Sequence, residues 1–195
     1  MIYKIEDKKN TNSLDFWNDF YKKTDPIYQE KSRLYLYKNI VPFIENENSF
    51  SFVEVGCGHG FGIRYLSKKY PNASFMGTDF SLKSIVHCNE INKKEKRKNL
   101  RFEVFDVLKE DFNYIYDYIA IIETLEHFED PIFVVNKLVN YCRKLIISVP
   151  FGEYAKDDPE HIIAGFDLDD FENYNILKNI EDKEKRFLRI MISKK

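Results

Sequence analysis

Long hydrophobic runs are absent from this sequence, and its longest apolar stretches are short pieces of strand length. They fall far below the roughly 20 consecutive apolar residues that a helix needs to cross a membrane. The opening residues, Met-Ile-Tyr-Lys-Ile-Glu-Asp-Lys-Lys, place no apolar segment after their charges, which predicts no secretory signal peptide. We therefore expect a cytoplasmic protein with no membrane partner.

Cysteine is scarce, and a surplus of either charge is lacking. The three cysteines, Cys57, Cys88 and Cys142, are scattered and odd in number, so neither a CxxC pair nor a disulfide framework is predicted. This usage suits a reducing compartment. The formal net charge of −2 predicts no general attraction to nucleic acid or to an anionic membrane, so a nucleic-acid partner is not expected.

The sequence does contain the pattern of one α/β domain. Its 195 residues suffice for a single hydrophobic core, and we predict an N-terminal helical cap over 1–45 and a core over 50–195. The order of the elements predicts a Rossmann-like, seven-stranded, mostly parallel sheet with helices on both faces and one antiparallel strand near the C-terminus. Polar residues 1–13 are expected to fray.

Apolar runs and helical periodicity give the individual elements. The predicted strands are 52–55, 73–78, 100–105, 118–122, 145–149, 176–180 and 186–193. The predicted helices are 14–21, 28–44, 61–70, 82–92, 130–142 and 167–174, with a loop over 151–165. The basic run Lys-Lys-Glu-Lys-Arg-Lys at 93–98 is interpreted as a solvated loop at the end of the sheet opposite the site.

A glycine-rich turn follows the first predicted core strand and organises the rest of the chain. Residues 51–60 read Ser-Phe-Val-Glu-Val-Gly-Cys-Gly-His-Gly, with glycines at 56, 58 and 60. A dinucleotide fingerprint requires glycine where Phe61 stands, and the Gly-Lys-Ser/Thr of a phosphate-binding loop is absent. Acidic Glu54 repels a pyrophosphate and favours a ligand that carries a cationic amino group.

Carboxylates recur where the predicted strands end. They are Glu54, Asp79, Asp106 and Glu123. Ligands of open α/β sheets bind beyond the carboxyl ends of the strands, so these side chains are expected to line one rim. Asp79 lies 19 residues after Gly60, about where an acidic residue accepts from ribose hydroxyls.

Four segments together resemble successive motifs of the class I S-adenosylmethionine-dependent methyltransferases. These segments are Val53–Gly60, Met76–Asp79, Val104–Val107 and Ile121–Pro131. The segment Glu-Thr-Leu-Glu-His-Phe-Glu-Asp-Pro at 123–131 is similar to the corresponding loop of small-molecule methyltransferases, including the ubiquinone-biosynthesis O-methyltransferases. The later Pro159-Glu160-His161 also resembles a feature of that group.

The resemblance implies S-adenosylmethionine as the cofactor, with S-adenosylhomocysteine as its product. It implies that the three glycines of the turn border the methionine part, that Asp79 holds the ribose, and that Asp106 accepts from the adenine amino group. The Val107 backbone is implied at the ring edge, and Glu54 and Glu123 complete the predicted cofactor site. In this family the N-terminal region often caps the cofactor or shapes the acceptor pocket; the alternative is that its aromatic residues only pack on the sheet.

Two histidines are the candidate catalytic groups. His127 and His161 are expected at the acceptor, where a neutral imidazole takes a hydroxyl proton near pH 7. Glu123, Glu126 and His127 have the spacing of one helical face, and with His161 they could bind Mg²⁺, Mn²⁺ or Fe²⁺. That set resembles the metal site of small-RNA 3′-terminal 2′-O-methyltransferases. We predict that the two histidines act as acid–base groups without a metal. A third interpretation is that each histidine only connects one loop to another.

The predicted function is S-adenosylmethionine-dependent methyl transfer to a small molecule or saccharide, at oxygen. Transfer proceeds by in-line displacement at the sulfonium methyl, so the protein mainly aligns the acceptor with the methyl group. Two alternatives stay open. One is a metal-dependent RNA 3′-terminal 2′-O-methyltransferase, and the other is a non-catalytic module that binds the cofactor without turnover.

Overall fold

The computed structural model describes residues 1–6, 8, 13–24, 34–44, 49–153, 156, 158–182 and 186–195. The strands of this part are β1 (Tyr3–Lys4), β2 (Ser51–Val55), β3 (Ser74–Asp79), β4 (Leu100–Val104), β5 (Tyr116–Ile122), β6 (Cys142–Pro150), β7 (Ile163–Ala164), β8 (Asn175–Asp182) and β9 (Phe187–Ser193). The helices are α1 (Leu14–Lys23), α2 (34–40), α3 (Phe61–Lys69), α4 (Leu82–Glu95) and α5 (Pro131–Leu138). Short 3₁₀ turns lie at Val41–Phe43, Leu125–His127, Val139–Tyr141 and Leu168–Phe171.

Seven of these strands form one sheet in the order β4-β3-β2-β5-β6-β9-β8. The pairs from β4 to β6 are parallel, whereas β9 runs antiparallel to both of its neighbours. The predicted mostly parallel sheet with one reversed strand is therefore confirmed. Because β2 pairs with β3 on one side and with β5 on the other, the strand order reverses at β2. Such a switch point opens a crevice at the carboxyl ends of the strands.

Hydrophobic side chains cover both faces of this sheet, as parallel sheets require. On one face Val53 and Ile119 pack with Val134 of α5. On the other face Phe52 and Tyr118 belong to the same cluster as side chains of α2, α3 and α4. The central strands are thus buried on both sides, and their ends are held in fixed positions.

The expected fraying of residues 1–13 is wrong for residues 3–5, whereas residues 7 and 9–12 lie outside the described residues. β1 pairs antiparallel with β7, with Tyr3 opposite Ala164 and Lys4 opposite Ile163. The backbone N–H of Ile5 donates to the carbonyl of Ile162 at 2.9 Å. The predicted loop over 151–165 therefore contains a strand, and the first residues of the sequence brace the segment that follows His161.

Several predicted boundaries were wrong. α4 continues to Glu95, so half of the basic run at 93–98 is helical, although the remainder leads into the start of β4 as expected. The predicted helix over 28–44 is helical at 34–40 and gives way to the turn Val41–Phe43, which contains a proline; residues 28–33 lie outside the described residues.

The two later predicted helices are also shorter than expected. α5 covers Pro131–Leu138 rather than 130–142, because Asp130 is its N-cap and accepts from the N–H of Phe133 at 2.8 Å. The acidic helix expected at 167–174 is the 3₁₀ turn Leu168–Phe171, closed by a capping box from Asp167 and Asp170. None of the helices in the described part of the chain combines the length and hydrophobicity that crossing a bilayer requires.

Candidate active site

The glycine turn after β2 is bent so that its backbone N–H groups face the next strand. The N–H groups of Gly56 and Cys57 donate to the carbonyl of Thr78 at 2.8 and 2.9 Å. Gly56 has φ +74°, and a Cβ there would lie 2.6 Å from the side chain of Thr124. A larger residue is therefore strained and crowded at this position. Gly58, at φ +51°, donates its N–H to the carboxylate of Asp79 at 3.0 Å.

Asp79 ends β3 and is the most constrained carboxylate of the site. Its Oδ2 accepts from the N–H of Gly58 and from the hydroxyl of Tyr21 at 3.3 Å, and its Oδ1 accepts from the N–H of Ser81 at 2.9 Å. Burial raises the pKa of Asp79 to about 6, because the cost of desolvating the charge exceeds the gain from these three hydrogen bonds.

A cavity of about 380 Å³ opens at this edge of the sheet. Seven of the predicted site residues line it: Gly56, Gly58, Asp79, Asp106, Val107, Glu123 and His127. The other three, Glu54, Gly60 and His161, are not part of its wall. The crevice and most of the rim therefore lie where the strand order places them.

Glu54 and Gly60 support the turn from behind. Glu54 is buried, and its Oε1 accepts from the hydroxyl of Tyr37 on α2. Gly60 is the left-handed N-cap of α3, and a Cβ there would lie 2.7 Å from the ring of Phe102. Contact of Glu54 with a cationic ligand group stays a prediction, and the structure shows this side chain in a buried position beneath the turn.

One end of the cavity lies after β4 and is rich in charge. Asp106 accepts from the N–H of Leu108 at 3.0 Å and from the ammonium of Lys109 at 2.7 Å. The N–H of Asp106 donates to Glu110 at 2.7 Å. The charged residues of the wall are Asp79, Asp106, Glu110 and Glu123 against Lys109 alone. The cavity is therefore acidic, which favours cationic ligands and disfavours polyanions.

His127 lies at the opposite end of the cavity, after β5. Its Nδ1 is 3.0 Å from the carbonyl oxygen of Glu160. A carbonyl only accepts, so Nδ1 carries the hydrogen and Nε2 is the basic atom of the neutral ring. The ring packs edge-to-face against Trp17, with the two centroids 4.9 Å apart. The 3₁₀ turn Leu125–His127 fixes this placement immediately beyond the end of the strand.

His161 lies behind His127, and their ring centroids are 5.0 Å apart. Its Nε2 is 3.6 Å from Oε1 of the buried Glu126 and 3.8 Å from Oδ2 of Asp158. Ligand atoms of Glu126, His127 and His161 all lie within 4.8 Å of one another, which brings together three of the four predicted metal-ligand candidates. Glu123 is not part of this cluster, and its carboxylate accepts from the hydroxyl of Ser148.

The wall contributed by α1 was only partly expected. Trp17, Phe20 and Tyr21 line the cavity, although the sequence left open whether the aromatic residues of this region merely pack on the sheet. Trp17 is the buried residue of a helix that is otherwise half-buried or exposed. One signal in the sequence could have indicated this wall. Tyr21 and Thr24 have the spacing that places them on the same side of the helix as Trp17, so two polar groups accompany the buried ring.

Comparison with known proteins finds a family model and several relatives that match part of this chain. Residues 53–144 match a family model described as a methyltransferase domain. The chain is 29% identical over 86 residues to (S)-tetrahydroprotoberberine N-methyltransferase of Eschscholzia californica, covering 44% of this chain and 25% of that protein. The chain spans between 13% and 40% of the length of the curated relatives that it matches.

Solved structures share the fold at low identity. A SAM dependent methyltransferase from Aquifex aeolicus is 19% identical with a TM-score of 0.67, and the match covers 90% of this chain and 97% of that one. Magnesium protoporphyrin IX methyltransferase from Synechocystis PCC 6803, with bound SAH, is 14% identical with a TM-score of 0.68, over 95% and 96% of the two chains. The chain thus has the fold of the class I S-adenosylmethionine-dependent methyltransferases, and the resemblance drawn from its motifs is confirmed.

The raised pKa of Asp79 predicts a pH-dependent cost of folding. Because the native pKa of about 6 exceeds the usual 3.8, the native state binds the proton more tightly than the unfolded state, so this contribution to stability declines as pH rises from about 4 to above 6. We expect the free energy of unfolding of Asp79→Asn, relative to wild type, to increase by on the order of 2 to 3 kcal/mol between pH 4 and pH 7.5. Denaturant unfolding at both pH values measures it.

The matched control is Glu103→Gln, on an exposed position of the edge strand β4. Glu103 pairs only at the surface, with Arg101 at 2.8 Å, so its replacement should change stability by no more than about 1 kcal/mol at either pH. An Asp79→Asn difference that stays constant with pH would contradict the raised pKa.

Proposed function

We propose that this protein transfers the methyl group of S-adenosylmethionine to a hydroxyl oxygen of a small molecule or saccharide. The observation that supports this proposal is a single cavity with two different ends. The glycine turn, Asp79 and Asp106 lie at one end, and the basic Nε2 of His127 belongs to the other. The proposed nucleoside site and the proposed proton acceptor thus share the wall of one cavity.

The cofactor assignment rests on position and charge. The turn, Asp79 and Asp106 follow three adjacent strands at the switch point, where open α/β sheets bind their ligands. S-adenosylmethionine carries an ammonium and a sulfonium and no phosphate, so it suits a wall with four carboxylates and one ammonium. Asp79 would take the ribose hydroxyls, and Asp106 with the Val107 backbone would take the adenine edge.

Bound S-adenosylmethionine supplies a methyl group that is already activated on sulfur. The residues of this chain then have two tasks, which are to align the acceptor oxygen with that methyl group and to accept the hydroxyl proton. We assign the second task to His127, because its Nδ1–H is held by the carbonyl of Glu160 and Nε2 is therefore the basic atom of the neutral ring. His161 and Glu126 lie behind it and hold the imidazole in place.

The charge of the cavity favours a small acceptor over a nucleic acid. The only cation among the described wall residues, Lys109, is already paired with Asp106. A phosphate backbone needs several lysine or arginine contacts, which this wall does not offer. The net charge of −2 agrees with the same preference.

A metal-assisted reaction is a second candidate, and a specific observation favours it. Glu126, His127 and His161 offer one carboxylate and two imidazoles within 4.8 Å, a donor set that suits Mg²⁺, Mn²⁺ or Fe²⁺. A bound cation at that position would polarise the acceptor hydroxyl and replace the imidazole as the means of activating it. This arrangement would correspond to the RNA 2′-O-methyltransferase alternative, against which the acidic wall argues.

Asp79→Ala should weaken binding of S-adenosylhomocysteine by roughly 2 to 3 kcal/mol, because ribose hydroxyls lose a charged acceptor. Calorimetric titration of the wild-type protein and the variant measures this difference. Glu103→Ala, which removes an exposed carboxylate outside the cavity, is the control and should bind as wild type does. Unchanged affinity in Asp79→Ala would refute the ribose assignment.

Cofactor binding without transfer to any acceptor tested would instead favour the non-catalytic module.

His127→Ala should lower turnover by roughly 10² to 10⁴, the usual range for a lost acid–base group, while the variant still binds the cofactor. His161→Ala should lower turnover as well, because it removes the ring packed behind His127 and leaves the carboxylate of Glu126 without the adjacent imidazole. Single-turnover rates with saturating cofactor make this comparison. Full activity in His127→Ala would eliminate the proposed base.

Chelation separates the two candidate reactions. If His127 is the base, prior treatment with EDTA should leave turnover unchanged, and calorimetric titration of Mn²⁺ should show no binding at micromolar concentration. If the three-residue cluster holds a cation, EDTA should abolish turnover, added Mn²⁺ or Mg²⁺ should restore it, and His161→Ala should abolish Mn²⁺ uptake.

A further inference from the structure

One face of α1, with its C-cap Thr24, carries side chains that contact the candidate site at several points. The ring of Trp17 packs against His127, with centroids 4.9 Å apart. Further contacts are Asn18 Oδ1 with the hydroxyl of Ser81 at 2.7 Å, the hydroxyl of Tyr21 with Asp79 at 3.3 Å, the ring of Tyr21 with that of His59 at 5.0 Å between centroids, and Thr24 Oγ1 with His59 Nε2 at 3.4 Å. A single helix thus bridges the proposed ribose carboxylate and the proposed base.

The contact between Tyr21 and Asp79 conflicts with bidentate ribose binding. An ionised carboxylate has about four acceptor positions, two on each oxygen. Oδ2 of Asp79 already accepts from Gly58 and Tyr21, and Oδ1 accepts from Ser81. One position remains on Oδ1, whereas two ribose hydroxyls need one on each oxygen. The Gly58 bond belongs to the turn itself, so Tyr21 is the donor that can leave.

We propose that α1 is a latch which the ribose of the incoming cofactor opens. This inference rests on the proposed function, since it takes Asp79 as the ribose acceptor. Displacement of the Tyr21 hydroxyl moves the helix, and Trp17, one turn earlier on the same face, separates from His127. The space beside Nε2 then becomes accessible to an acceptor only after the cofactor has bound, which enforces an order of binding.

The attachment of α1 is weak enough for this displacement. Trp17 is the buried residue of the helix, and Leu14 at its start is 48% exposed. The side-chain contacts named here, together with the ring of Tyr21 on His59 at 5.0 Å between centroids, are all made to the loops of the site. Segments with few buried apolar contacts open at low free-energy cost.

The chain contains one tryptophan, so intrinsic fluorescence reports on Trp17 directly. Adenosine carries both ribose hydroxyls, and its addition should shift the emission of Trp17 to longer wavelength as the indole leaves the His127 ring for a wetter position. Saturating 2′,3′-dideoxyadenosine, which lacks both hydroxyls, should leave the spectrum unchanged. Identical spectra with and without adenosine at saturation, or equal shifts with both nucleosides, would overturn the latch.

Tyr21→Phe tests the same mechanism through affinity. The variant keeps the ring that packs on Trp17 and His59 but lacks the hydroxyl that occupies Asp79. We expect its emission without ligand to be shifted already, and S-adenosylhomocysteine to bind roughly three- to tenfold more tightly than to wild type. Tyr114→Phe, which removes a hydroxyl from a 72% exposed side chain outside the cavity wall, is the control and should match wild type.

Failure of the latch can be distinguished from failure of the proposed function. Equal or weaker binding of S-adenosylhomocysteine by Tyr21→Phe, with Asp79→Ala still weakened, would overturn the latch and leave the cofactor site standing. If the wild-type protein and Asp79→Ala bind S-adenosylhomocysteine equally well, both the latch and the proposed cofactor site are overturned, because the ribose would then lie elsewhere.

Discussion

The hydrogen bond from the Gly58 backbone to the Asp79 carboxylate is the interaction on which this site depends. It joins the turn after β2 to the end of β3, and the Ser81 N–H on the other carboxylate oxygen joins the same side chain to the start of α4. A buried carboxylate thereby joins three pieces of backbone and supplies a partner to two of their N–H groups, those of Gly58 and Ser81. The cost is a charge that the fold only partly compensates, as the pKa of about 6 indicates.

The rest of the molecule can be understood as support for that junction. The reversal of strand order at β2 opens the crevice, and hydrophobic packing on both faces of the sheet keeps the strand ends in register. Buried Glu54 and left-handed Gly60 hold the turn from beneath. Beyond β5, the turn Leu125–His127 and the segment around Glu160 fix the imidazole at the far end of the cavity.

Local pattern was sufficient to predict the sheet and most of the rim. Three of the strand-like apolar runs are followed directly by an acidic residue, and parallel topology alone placed Asp79 and Asp106 at one edge. The local sequence pattern was insufficient to predict features that depend on contacts between residues far apart in the chain. β1 is a two-residue strand with no periodicity, and its partner Ile163–Ala164 lies in what reads as a loop.

The direction in which individual residues face was the second property that could not be predicted from the sequence. Glu54 and Gly60 have the spacing of ligand contacts, yet one lies buried beneath the turn and the other packs on Phe102. His161 was expected at the acceptor, and the structure places it one ring behind His127. These outcomes depend on which way a strand end or loop is rotated, and sequence spacing does not encode that rotation.

The position of β9 in the sheet has a consequence for how the chain reaches its native state. β9 lies between β6 and β8, so the hydrophobic strand β6 has an unpaired edge until residues 187–193 have been synthesised and inserted. Until then, the backbone donors and acceptors along that edge of the largely buried strand β6 stay unpaired. Such open edges recruit other strands, so pairing with β9 is what protects β6 from association with other chains.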